Sequence, residues 1–157
     1  MQNVPSYLNL FTRLFLSVSG LFSIFLFPIL FGVLDSYSSY YKFSPILFTS
    51  LFSTLAVGLF IHSNVEWKYP AIMLILLSIF NMYDHPIIHY STAILFFASS
   101  TYSMWNDKRV SGFGKVSFLF YPVFFIDLLI FEMFQIFLIC MFHLMYILRI
   151  MKIKNIK

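Results

Sequence analysis

The sequence predicts an all-α protein: a polytopic helix bundle built to sit in a lipid bilayer. Three observations carry that expectation. Of 157 residues, 61% are hydrophobic and only 10% charged, against about 25% charged in a soluble domain, so there is too little polar surface to face water all round. Several apolar runs approach or exceed the roughly 20 residues that a spanning helix needs. The basic residues stand at the ends of those runs. That placement orients helices in a membrane and does not make a phosphate-binding face, so the net charge of +4 gives no reason to expect a nucleic-acid partner.

No Pro/Gly/Ser-rich or charged block divides residues 1–157, so one transmembrane helical domain is expected. The single cysteine, Cys140, excludes an intramolecular disulfide and a Cys-based metal cluster. It reads as a packing residue.

The first span is expected at Leu14 to Leu34. It is longer than the apolar core of a signal peptide and shows no small-x-small cleavage site, so it reads as a span that is kept. Pro28 lies inside it, and Ser17, Gly20 and Ser23 run along one side. Asp35 to Pro45 forms the first loop. In the second span, Ile46 to His62, the residues Ser50, Thr54, Gly58 and His62 recur at every fourth position. They give one small, polar face suited to close helix packing. Ser63 to Tyr69 is an interfacial turn, with Trp67 placed for an aromatic belt and His62 interfacial.

The third span, Pro70 to Tyr83, is short for a hydrocarbon core of about 30 Å. A polar interruption follows, Asn81-Met-Tyr-Asp84-His85-Pro86-Ile-Ile-His89-Tyr90. Pro86 suits a first helical turn, with Asp84 or His85 as its cap. The fourth span runs to Trp105, with His85, His89, Thr92, Phe96, Ser99 and Ser103 on one face. Asn106 to Lys115 is a loop. Val116 to Ile150 as one helix would reach about 52 Å, so two short spans are expected, turning near Asp127 to Glu132, although no Gly or Pro marks that turn.

Charge then selects six spans over five, with four a further alternative. With both termini cytoplasmic, Arg13, Lys68, Lys108, Arg109, Lys115, Arg149, Lys152, Lys154 and Lys157 fall on one side and Lys42 alone on the other, as the positive-inside rule requires. Five spans would divide the basic residues equally. The N-terminus has no Arg-rich, Ser-rich transit segment, which favours a bacterial inner membrane.

Six spans also gather Asp35, Asp84, His85, His89, Asp127 and Glu132 at the outer mouth. Ionisable groups at such a depth are costly and tend to face inward and bind something. Asp84, Glu132 and His143 are therefore candidate binding residues. His85 and His89, four apart, are candidate metal ligands together with a carboxylate. A divalent metal there would activate water. Haem, which needs paired histidines at matched depth, fits the sequence less well. The plainer alternative makes Asp84 and His85 a helix cap at a wet turn.

At His89-x-x-x-Ala93-x-Leu95-Phe96-Phe97, following an acid at a span junction, the chain resembles the DRAM-like group of six-span membrane proteins. A later membrane-edge glutamate, here Glu132, and cytoplasmic termini extend the likeness. The resemblance implies a non-enzymatic protein tied to lipid handling or trafficking and supplies no catalytic residues. No Gly-x-Ser-x-Gly, Walker loop or dinucleotide fingerprint is present,. The expected function is thus binding of lipid or of a partner membrane protein (a second copy included), through small-residue faces such as Ser50/Thr54/Gly58. A metal-dependent intramembrane enzyme or cation pathway is the alternative. An immunity-type protein against a pore-forming toxin is a further one, resting only on size and span count.

Overall fold

The computed structural model describes residues 7–61, 65–108 and 110–154, with backbone alone at 7, 8, 153 and 154. His62, read as interfacial, and Arg109 and Lys157, counted among the cytoplasmic charges, lie outside the described residues. Among those described there are six α-helices and no strand: α1 (Tyr7–Phe31), α2 (Pro45–Ile61), α3 (Lys68–Ile79), α4 (Pro86–Asn106), α5 (Gly112–Leu119) and α6 (Leu128–Lys154). Short 3-10 segments lie at Tyr37–Lys42, Val65–Trp67 and Tyr121–Phe125.

Local chemistry sets the boundaries. α1 stops at Phe31 because Gly32 takes a φ of +79° and its N–H closes on the Pro28 carbonyl at 2.9 Å, an end that suits glycine. The Asn81 carboxamide oxygen accepts the Tyr83 and Asp84 N–H groups at 2.9 and 3.0 Å, folding the turn after α3. Pro86 then opens α4 in its first turn, with His85 at the N-cap position. α6 begins where Asp127 Oδ1 accepts the Ile130 N–H at 2.9 Å, a side-chain N-cap.

α1 and α6 run antiparallel. Arg13 meets His143, Ser17 meets the Cys140 carbonyl, and Tyr37, just beyond α1, meets Glu132. The start of α1 and the end of α6 therefore share one end of the bundle, here the terminal end. The far end carries the 37–42 segment, the 81–85 turn and the 125–127 turn. The helices pack in chain order and α6 returns to α1, while α4 also touches α6.

The six expected spans correspond to six helical segments, but unequally. α1 and α6 are long and apolar enough to cross a membrane. α3 has 12 residues, about 18 Å, because the 81–85 turn takes the end of the expected third span. α5 has 8 residues and is continued only by the 121–125 segment. The break in Val116 to Ile150 comes earlier than expected: Pro122 opens that 3-10 segment, and the chain turns at 126–127. Trp67 is also placed differently. It is fully buried, against Phe142 at 5.4 Å and His143 at 4.6 Å between ring centroids, and does not belong to an outward aromatic belt.

Polarity is inverted relative to a water-soluble protein. α1 exposes Phe11, Val18, Phe22, Phe25 and Ile29 while burying Arg13, Ser17 and Ser23. α6 exposes Ile130, Phe137 and Leu148 while burying Glu132, Gln135 and His143.

Candidate functional site

The expected second-half turn would have left Glu132 at an interface. The turn at 126–127 instead puts it inside α6, and the chain after α1 folds back over it. Glu132 is 5% exposed. Its Oε2 accepts the Tyr37 N–H at 2.6 Å, and its Oε1 accepts the Ser38 hydroxyl at a long 3.4 Å. A carboxyl from one helix thus satisfies the first amide of a 3-10 segment that no side chain of its own caps, the service an N-cap residue normally performs locally.

Aromatic packing holds that segment in place. Tyr37 meets Phe27 edge to face at 5.5 Å, Tyr40 stacks on Phe27 at 5.3 Å, and Phe48 stacks on Phe52 at 4.2 Å, all favourable ring geometries. The Tyr40 hydroxyl donates to the Gly32 carbonyl at 2.9 Å. Burial pushes the Tyr37 and Tyr40 phenols above their ordinary range, so both stay neutral near pH 7. The first loop is therefore a plug in the far end of the bundle.

Glu132 also lies where two hollows approach each other. A cavity of about 60 Å³ on the α1–α3 side is walled by Leu16, Phe52, Leu74 and Phe96, with Glu132, Ser23 and Ser38 as polar groups. A second, of about 180 Å³, lies between α4, the 121–125 segment and α6, and is walled by Tyr90, Ile94, Phe124, Phe125 and Leu128. Ala93, Phe97 and Glu132 line both. Tyr90, Ile94 and Phe125 are surface residues, so the second hollow is a lateral crevice whose inner end is a carboxyl.

No protein-family model matches the chain. No curated protein and no solved structure matches it either.

The remaining expected site residues do not converge on Glu132. Asp84 is exposed and accepts from the Asn81 amide at 2.7 Å. His85 is exposed. His89 is 2% exposed, and its Nδ1 lies 2.7 Å from the Phe80 carbonyl, which only an Nδ1–H can satisfy. With His85 at the cap, outside the helix, the four-residue spacing no longer places the two imidazoles together. Among the described residues no group of three His, Cys, Asp or Glu could hold a metal ion. His143 shares a face of α6 with Glu132 but sits eleven residues on, about 16 Å away along the axis. The expected packing face also divides: Ser50 and Thr54 are exposed, whereas Gly58 is buried against Leu16. The small side of α1 is occupied internally, with Ser17 donating to the Cys140 carbonyl at 3.0 Å.

Two polar groupings were not anticipated. Gln135 links α6 to α5, accepting the Ser117 hydroxyl at 2.5 Å and donating to the Ser117 carbonyl at 3.0 Å. Thr101 of α4 bonds Ser117 at 2.6 Å and the Tyr121 hydroxyl at 3.2 Å. The signal for this network was a lone amide three residues after Glu132 in an apolar run. At the terminal end Arg13, read from sequence as a flanking charge, is fully buried. Its guanidinium lies 3.5 Å from the Tyr146 ring centroid and donates to His143 Nδ1 at 3.3 Å. Sequence gave no signal for that burial, because any basic residue before a span looks the same.

Proposed function

We propose that this chain is a non-enzymatic integral membrane protein that binds a lipid-like molecule in the crevice between α4 and α6. The observation that carries the reading is the crevice itself: apolar walls, surface residues at its mouth, and one carboxyl at its inner end. Such a shape suits a molecule with an apolar body and a hydrogen-bond-donating group. The apolar outer face of α1 and α6 supports residence in a bilayer, since exposed apolar surface of this extent marks a membrane or protein contact. Six membrane segments with both termini cytoplasmic, the arrangement that the DRAM-like resemblance also implies, fit the charges: Lys42 stands at the far end, and Lys68, Lys108, Arg149 and Lys152 at the terminal end.

Glu132 serves here as a binding group. Each of its oxygens accepts one hydrogen bond, from Tyr37 or Ser38, and a carboxylate oxygen carries a second lone pair that a ligand donor can use.

The test is lipid extraction and mass spectrometry on protein purified in mild detergent, beside Ala93→Leu, which fills the boundary between the two hollows. A specific co-purifying lipid-like species should fall at least about tenfold in the variant, whose melting temperature should stay close to that of the parent. Equal recovery from both proteins would overturn the proposal.

A further inference from the structure

A third hollow lies away from Glu132, at the terminal end. It is a groove of about 850 Å³ between the start of α5 and the last turns of α6. Three cations line it: Lys108 from the α4–α5 connection, and Arg149 and Lys152 on one face of α6. All three are exposed. The described lining contains no carboxylate, and Asp107, the neighbouring acid, is not part of it.

The groove changes character along its length. Its basic groups stand at the end of the bundle, while Val116, Met145 and Leu138 wall it further in. Leu138 and Lys152 are fourteen residues apart on one helix, about 21 Å. Positive charge at the bilayer surface followed by an apolar trough, about 15 Å along α6 from Leu148 to Leu138,, matches one class of ligand: a phosphate headgroup with attached acyl chains. A free phosphate would use only the cations, and a zwitterionic lipid would bring its own positive group against three others. Basic pockets between membrane helices bind anionic headgroups for this reason, and long basic side chains can lie along apolar surface while keeping their charge at the interface.

We propose that this groove is a binding site for an anionic phospholipid, with Lys108, Arg149 and Lys152 on the phosphate and Val116, Met145 and Leu138 along the acyl chains. The inference rests on the membrane reading above and is independent of the Glu132 crevice.

The experiment uses the full chain in detergent, followed by thermal denaturation and titration with phosphatidylglycerol, phosphatidylcholine or inorganic phosphate. Phosphatidylglycerol alone should raise the melting temperature. In Arg149→Gln/Lys152→Gln its apparent affinity should fall about 30-fold, from a loss of about fivefold per basic residue near a membrane surface. Lys42→Gln, at the far end, should leave it unchanged. Val116→Trp, which blocks the trough without altering charge, should weaken phosphatidylglycerol binding as well. An equal effect of phosphatidylcholine or of inorganic phosphate, or unchanged affinity in the double variant, overturns the proposal. Membrane fractionation separates the two readings. A chain recovered in the aqueous fraction without detergent defeats both, whereas a membrane-embedded chain indifferent to phosphatidylglycerol defeats only this one.

Discussion

Replacing Glu132 by alanine should release the plug formed by Tyr37–Lys42. The substitution removes the acceptor of the Tyr37 N–H, 2.6 Å away. A buried donor left unsatisfied costs about 1–3 kcal/mol. The truncation also enlarges the adjoining cavity by roughly 50 Å³, worth about 1 kcal/mol. The total of about 2–4 kcal/mol corresponds to roughly 30- to 1,000-fold in a local opening equilibrium. Glutamine keeps both the volume and a carbonyl acceptor, so Glu132→Gln should cost about 1 kcal/mol or less. Amide hydrogen exchange over residues 35–44 in detergent reads the difference directly. Exchange should accelerate strongly in the alanine variant, by about fivefold or less in the glutamine variant, and little in α3. Equal exchange in Glu132→Ala and the parent would refute the claim that this carboxyl holds the segment.

Two further outcomes follow from side-chain placement. Gly114 and Gly58 both sit at helix contacts, but an added methyl at Gly114 would meet the Trp105 backbone, with Cα at 2.6 Å, while at Gly58 it would meet the movable end of Leu16 at 2.9 Å. Gly114→Ala should therefore lower thermal stability by at least the 1–3 kcal/mol of an overpacked core and Gly58→Ala by less; a reversed order would contradict the α4–α5 packing. His85→Ala should be nearly neutral, within about 0.5 kcal/mol, whereas His89→Ala strips the Phe80 carbonyl of its donor and should cost about 1–3 kcal/mol, with melting curves as the measure.

By itself the sequence determined the all-α class and the places of the two long apolar helices, α1 and α6. These follow from composition and run length, as the start of α4 follows from local chemistry at Pro86, whereas the expected first span ran past Gly32 to Leu34 and α1 ends at Phe31. The expected face of α4 was legible in part: helical periodicity puts His85, His89, Thr92, Phe96, Ser99 and Ser103 on one side, and the structure buries His89, Thr92, Phe96 and Ser103 but leaves His85 exposed and Ser99 half-buried. The break near Pro122 was written in the chain but lay five residues before the expected turn. What only the tertiary structure decided is the fate of individual polar residues. Glu132 is an anchor because the segment after α1 folds over it, Arg13 is buried because Tyr146 and His143 arrive from the last helix, and His85 and His89 part because one is a cap and the other faces inward. Burial and partnership depend on which distant element covers a residue, and no local pattern of apolar and polar positions encodes that.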